Sequence, residues 1–228
     1  MAGATRKSLK ITVPGVDGGV SGLMHRPANA FCLYVFAHGA GAGMRHAFME
    51  DLSARLFDAE VATLRFNFPF IEARKRRPDT PRLLIATVRA AVKRARSLTP
   101  GLPLVAGGKS MGGRMTSQAA AAEPLDGVAG LVFVGFPLHA PGRTGTSRAD
   151  HLRDVQLPML FVQGTRDALA DIDLMRDVSR GLGRRGKLHV VDGGDHSFKV
   201  LKRSGRDAAD VMSEVVTATV GFARRLTR

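Results

Sequence analysis

One junction constrains this chain more than any other. An apolar run at residues 102–107 passes without a loop into Gly108-Lys109-Ser110-Met111-Gly112, and small residues at helical spacing follow over 111–122. A strand that turns this sharply into a helix brings the backbone on either side of the turn together. The positions two before and two after Ser110 then have no room for side chains, and both are glycine, with Gly113 adding space. Such a turn strains its serine and lifts it above the sheet edge, at the positive end of the following helix. Ser110 is therefore the candidate nucleophile, and the Met111 N–H is a candidate donor to a substrate oxyanion.

Gly108-Lys109-Ser110 also resembles the end of a phosphate-binding P-loop. The first glycine of that pattern would fall on Pro103, and Leu104, Val105 and Ala106 read as strand, so no loop is left to wrap a phosphate.

The rest of the chain alternates in the same way. Residues 8–13 and 20–25 flank a Gly/Pro/Asp-rich segment at 14–19 and predict an antiparallel hairpin. Strands are expected at 31–37, 61–66, 102–107, 127–134, 158–162 and 187–191. Helical spacing marks 46–59, 81–98, 111–122, 171–182 and 207–226, with Thr80 as the expected cap before Pro81. This predicts one α/β domain over residues 1–228, with a mostly parallel central sheet of about eight strands and helices on both faces. The segment 136–157 is too short for a large helical cap, so an open site is expected. Ligands of such sheets sit at the carboxyl ends of the strands.

Three further segments fall at such ends. The run 31–37 leads into His38-Gly39-Ala40-Gly41-Ala42-Gly43, where small residues let the backbone approach a reacting carbonyl, with the Ala40 N–H as the second oxyanion donor and His38 as a brace. A dinucleotide fingerprint fails there, because its third glycine would fall on Met44 or His46. Asp167 follows the strand at 158–162. Its rivals Asp171 and Asp173 open the next helix and read as capping acids. His196 follows the last strand, whereas His189 lies inside it and His25, His46, His139 and His151 come too early. Ser110, Asp167 and His196 thus stand in the order of a nucleophile–acid–base triad on this fold. The histidines show no H-E-x-x-H or similar spacing, so neither a metal nor another cofactor is expected.

Together, His38-Gly39-Ala40-Gly41, Arg65-Phe66-Asn67-Phe68-Pro69-Phe70, Gly108-Lys109-Ser110-Met111-Gly112-Gly113-Arg114 and Asp195-His196-Ser197-Phe198 resemble the α/β-hydrolase family of the testis-expressed and NSL-complex-subunit proteins and their bacterial relatives. That family neighbours the dienelactone-hydrolase-like proteins. The resemblance implies the α/β-hydrolase fold, a Ser-Asp-His triad and no large lid. It implies no substrate: dienelactone hydrolases proper use a cysteine nucleophile, and Ser110 departs from them.

The expected activity is hydrolysis of an acyl substrate, a carboxylic ester first, with thioester, amide and acyl-transfer chemistry sharing the same machinery. The alternative is a binding module that keeps the fold without turnover, for a protein or acidic partner. His38, Gly39, Asn67, Phe68 and Arg114 are candidate pocket residues, with Arg114 expected to pair with Glu72. The basic run at 74–77 suggests a preference for anionic substrates. The net charge of +14 is spread over several segments, among them 93–96, 184–187, 199–206 and 224–228. With one tyrosine and no tryptophan there is no stacking ladder, which argues against a nucleic-acid partner. The lone Cys32 sits in an apolar run and reads as a buried small hydrophobe. No stretch reaches the roughly 18 apolar residues of a membrane span, and residues 1–10 lack the apolar core of a signal peptide, so a cytoplasmic location is expected. Oligomeric state is not readable from the chain.

Overall fold

A computed structural model describes residues 3–227; Met1, Ala2 and Arg228, the outer ends of the basic N-terminal segment and of the last charge run, lie outside the described residues. The first two strands, β1 (Thr5–Val13) and β2 (Val16–Arg26), form the antiparallel hairpin. There follow β3 (Cys32–Ala37), α1 (Ala47–Asp58), β4 (Val61–Phe66), the single turn α2 (Pro69–Glu72) and α3 (Pro81–Leu98). Then come β5 (Leu104–Lys109), α4 (Met111–Ala122), β6 (Val128–Val134), β7 (Met159–Gly164), α5 (Ile172–Gly181), β8 (Gly186–Val191) and α6 (Ala208–Leu226).

The eight strands form one sheet in the order β1-β2-β4-β3-β5-β6-β7-β8. β2 pairs antiparallel with β1 and β4, and β4, β3, β5, β6, β7 and β8 run parallel. Every residue of β3, β4, β5 and β7 is buried, which explains their mainly apolar sequences: each is covered on both faces, with Thr63, Arg65, Lys109 and Gln163 as the buried polar exceptions. Leu52 and Leu56 of α1 and Val211 and Val215 of α6 pack on one face. Leu84, Val88 and Ala91 of α3, Met115 of α4 and Met175 of α5 pack on the other. Cys32 is buried, and that burial pushes its thiol up to about 12, so it behaves as the expected small hydrophobe.

The structure adjusts several sequence expectations. β1 and β2 extend to Thr5 and Val16, so the hairpin turns at residues 14–15 within the expected segment 14–19. Thr80 stands at the cap of α3 but makes no side-chain cap hydrogen bond. β5 runs two residues beyond the expected end, because Gly108 and Lys109 still pair with Phe133 and Val134 of β6. The serine therefore follows the strand directly. The segment between β6 and β7 carries only a 3₁₀ turn at Ser147–Asp154, packed on α4 through a 2.8 Å contact between Ser117 and His151.

Chain order reverses between β3 and β5, since β3 leads to β4 on one side and β5 leads to β6 on the other. The crevice outside their carboxyl ends is the topological switch point of the sheet, where ligands of such folds bind.

Candidate active site

Ser110 follows the last residue of β5 and stands at the cap of α4 with φ 52° and ψ −119°. A serine is rarely found at positive φ, and the cost is carried by the surrounding packing. The two glycines make that packing achievable. A β-carbon on Gly112 would lie 2.5 Å from the Ala37 carbonyl oxygen and 2.6 Å from that of His38. One on Gly108 would lie 2.8 Å from the Gly112 carbonyl carbon. Elbow and preceding loop are thus pressed together backbone to backbone.

Three side chains converge on this turn. His196 Nε2 lies 2.9 Å from Ser110 Oγ, and His196 Nδ1 lies 2.7 Å from Asp167 Oδ2. The Asp167 side chain is fully buried, while that of His196 is partly open to solvent. Asp167 is also held by Gln163, whose Nε2 donates to Oδ2 at 2.6 Å, and by the Leu169 N–H, which donates to Oδ1 at 2.8 Å. Gln163 in turn accepts the Phe136 N–H at 2.9 Å, so no polar atom of its amide end is idle on the side facing the core. The histidine loop is pinned by Asp195, whose Oδ1 accepts the N–H groups of Ser197 and Lys199 at 2.8 and 2.9 Å. The Arg166 N–H donates to the Gly194 carbonyl at 2.9 Å and ties the acid loop to the histidine loop.

The loop after β3 abuts the serine. A β-carbon on Gly39 would lie 3.6 Å from Ser110 Cβ. The N–H groups of Ala40 and Met111 donate to no protein acceptor among the described residues, so both can receive an external oxygen. His38 is buried beneath this loop; its Nδ1 lies 2.7 Å from the Gly39 carbonyl and its Nε2 accepts the Phe68 N–H at 3.0 Å. Burial pulls its basicity down to about 4, against the opposing backbone bond to Gly39. It is a neutral brace.

The cavity beside Ser110 has a volume of about 840 Å³. It is lined by Ser110, His196 and the Gly39–Ala40 backbone, by the apolar side chains of Phe48, Met49, Leu169, Phe198 and Met212, and by the charged or polar side chains of Lys109, His46, Asp51 and Lys199. Of the five candidate pocket residues, Gly39 lines it and His38, Asn67, Phe68 and Arg114 do not. Phe68 is buried in the core, because its ring packs edge-on against His38 and Phe66. Asn67 is spent on structure: it accepts the Met44 N–H and donates to Glu72 Oε1, both at 2.9 Å. Burial would raise the Glu72 carboxyl, but the bonds from Asn67 and from the Ser21 N–H and hydroxyl outweigh it and hold it below its usual value. Glu72 is thereby saturated and makes no ion pair with Arg114, contrary to expectation. Arg114 is half-buried, and burial first, then the charge of Arg148, lowers its basicity. The basic residues 74–77 do not line the cavity either; the lysines that do are Lys109 and Lys199.

Gln163, Lys109, Phe48 and Phe198 also stand at the site, and sequence motifs assign them no role there. Gln163 was detectable as an amide at the end of an otherwise apolar strand, and Lys109 as a charge inside the elbow. The two phenylalanines belong to distant segments and meet only through the fold, with ring centroids 6.0 Å apart.

Residues 31–224 match the family described as alpha/beta hydrolase domain. Among solved structures, the chain superposes on a dienelactone hydrolase from Anabaena variabilis with a TM-score of 0.78 and 21% identity, covering 98% of this chain and 99% of that one. It is also similar to the esterase domain of a Rhodothermus marinus protein, with a TM-score of 0.73, 17% identity and coverage of 98% and 100%. A third similar structure is an α/β serine hydrolase without lid from Xanthomonas campestris, with a TM-score of 0.71, 20% identity and coverage of 99% and 96%. At these identities the likeness is one of fold. No helix among the described residues is long and apolar enough to cross a membrane.

Proposed function

The chain belongs to the alpha/beta hydrolase domain family, and on that footing we propose that it is a serine hydrolase cleaving small acyl substrates, carboxylic esters first, through Ser110, His196 and Asp167. The observation that carries this reading is the unbroken line from Asp167 Oδ2 through His196 at 2.7 Å to Ser110 Oγ at 2.9 Å. With Nδ1–H donating to Asp167, Nε2 is left to accept the serine proton. Ser110 Oγ then attacks the acyl carbon and the oxyanion forms between the N–H groups of Ala40 and Met111. His196 returns the proton to the leaving oxygen, and water repeats the cycle on the acyl-enzyme.

The apolar part of the lining, Phe48, Met49, Leu169, Phe198 and Met212, supports a reading in which an apolar acyl group packs beside the serine. The similar Rhodothermus marinus structure is named an esterase domain, a likeness of fold with which this reading agrees. The narrower kinship with the testis-expressed and NSL-complex-subunit proteins rests on the four motifs alone.

A panel of nitrophenyl esters of graded acyl length tests the proposal. The parent is expected to turn them over, with kcat reduced by about 10³-fold or more in Ser110→Ala and His196→Ala. Retained turnover in either variant refutes the assigned roles.

A further inference from the structure

Lys109 is the last residue of β5, directly before the serine, and its side chain lies on the face of the sheet covered by α1 and α6. It is only 9% exposed, and its Nζ is buried without a hydrogen-bond partner. Leaving a buried amine unpaired is costly, so its retention at this point calls for a physical reason. The ring centroids of Phe48 and Phe198 lie 5.7 and 5.8 Å from Nζ and compensate in part.

The remaining surroundings are those of the catalytic pair. A β-carbon on Gly135 would lie 2.9 Å from Lys109 Nζ, 3.4 Å from the His196 carbonyl oxygen and 3.6 Å from Asp167 Oδ2. These three atoms therefore surround one point, and only a glycine fits there. The amine thus shares the space beside Gly135 with the same carboxylate oxygen that holds His196, without bonding to it.

We propose that Lys109 is a positioning residue that acts through the Asp167–His196 pair: its ammonium charge keeps the imidazole uncharged and able to take the serine proton. The inference rests on the serine-hydrolase reading above. A buried carboxylate draws a proton onto its histidine partner, and a histidine so charged is no base. A second cation fixed near the carboxylate offsets that pull and repels a charge on the ring. Asp195, in the histidine loop, also acts on the ammonium. His46, Asp51 and Lys199 line the same cavity but are exposed, where water screens them.

The window is suitable. Burial lowers the Lys109 ammonium to about 8, against the pull of Asp167 and Asp195. It therefore carries its charge throughout the range near 6.5 in which histidines ordinarily gain a proton. It loses that charge only at higher pH, where an imidazole needs no such guard.

The test compares kcat/KM for a neutral nitrophenyl ester from pH 5 to 9 in the parent, Lys109→Met, Lys109→Gln and Lys109→Arg. In Lys109→Met and Lys109→Gln the acid limb is expected to move upward by about one pH unit. The loss against the parent is then about tenfold at pH 6 and shrinks as pH rises. Lys109→Arg restores the limb toward the parent position, and Lys109→Met melts no lower than the parent because it removes an unpaired buried amine. An acid limb unmoved in Lys109→Met and Lys109→Gln overturns the inference. A pH-independent loss accompanied by a lower Tm does the same, since it marks a packing role. A parent without turnover overturns the serine-hydrolase reading itself, and this inference with it.

Discussion

The backbone N–H of Phe68 donates to Nε2 of His38 across 3.0 Å, joining the strand end after β4 to the loop that approaches Ser110. This bond requires Nε2 to be unprotonated, and burial holds the ring neutral down to about pH 4. In the unfolded chain the same ring protonates near 6.5. Above 6.5 both states are neutral and His38 adds no pH dependence. As pH falls from 6.5 to 4 the unfolded state gains the proton first, and the fold loses up to about 3 kcal/mol. Urea unfolding at pH 7 and pH 4.5 is expected to show this loss in the parent and a flatter dependence in His38→Gln. Equal slopes would remove His38 as the cause.

Gly112→Ala places a methyl group 2.5 Å from the Ala37 carbonyl oxygen, with no flexible side chain to yield. A loss of about 2–3 kcal/mol is expected, along with at least a tenfold fall in kcat/KM as the elbow shifts from the oxyanion loop. Gly181, at the end of α5, has nothing within 4 Å of its missing β-carbon, so Gly181→Ala is expected to be neutral or stabilising by up to about 1 kcal/mol. Thermal melts of both variants check the contrast.

Gln163 and Asp171 separate two kinds of polar residue near the acid. Gln163→Leu leaves the Phe136 N–H and the buried Asp167 each short of a partner. It is expected to cost about 2 kcal/mol of stability and about tenfold in kcat/KM. Asp171 accepts the N–H groups of Asp173 and Leu174 as the cap of α5. Asp171→Ala should therefore cost about 1 kcal/mol and leave kcat/KM unchanged. A rate loss in Asp171→Ala comparable to that of Asp167→Asn would move the acid to the rival position.

The apolar walls of the cavity set a chain-length preference. Each additional methylene buried against Phe48, Phe198 and Met212 is worth up to about 0.8 kcal/mol, so kcat/KM should rise from acetyl to hexanoyl esters in the parent. Met212→Ser is expected to flatten that rise while leaving acetyl-ester turnover close to the parent. A parent that prefers charged or acetyl esters would place the acyl group elsewhere.

The sheet was legible in the chain because its inner strands are covered on both faces, which writes them as mainly apolar runs. The glycines around Ser110 were legible because backbone contact leaves a residue no alternative. Asp167 and His196 could be proposed from strand order once Asp171 and Asp173 were read as capping acids and His189 as a strand residue. The pocket was not legible. Asn67 and Phe68 follow a strand at the correct end, yet one is saturated by Met44 and Glu72 and the other is turned into the core. Arg114 and Glu72 carry opposite charges, but Glu72 already holds three donors from Ser21 and Asn67. Which polar group reaches which partner depends on side-chain directions that sequence spacing does not encode. Lys109 shows the same limit: its charge is visible in the sequence, and the carboxylate near which it lies is not.

The central claim is an activated serine at position 110, and covalent labelling by a fluorophosphonate tests it most directly. The expected result is one label per chain on the folded parent, located on Ser110, with none on Ser110→Ala and strongly slowed labelling of His196→Ala. Equal labelling of Ser110→Ala, or no labelling of a well-folded parent, would contradict it.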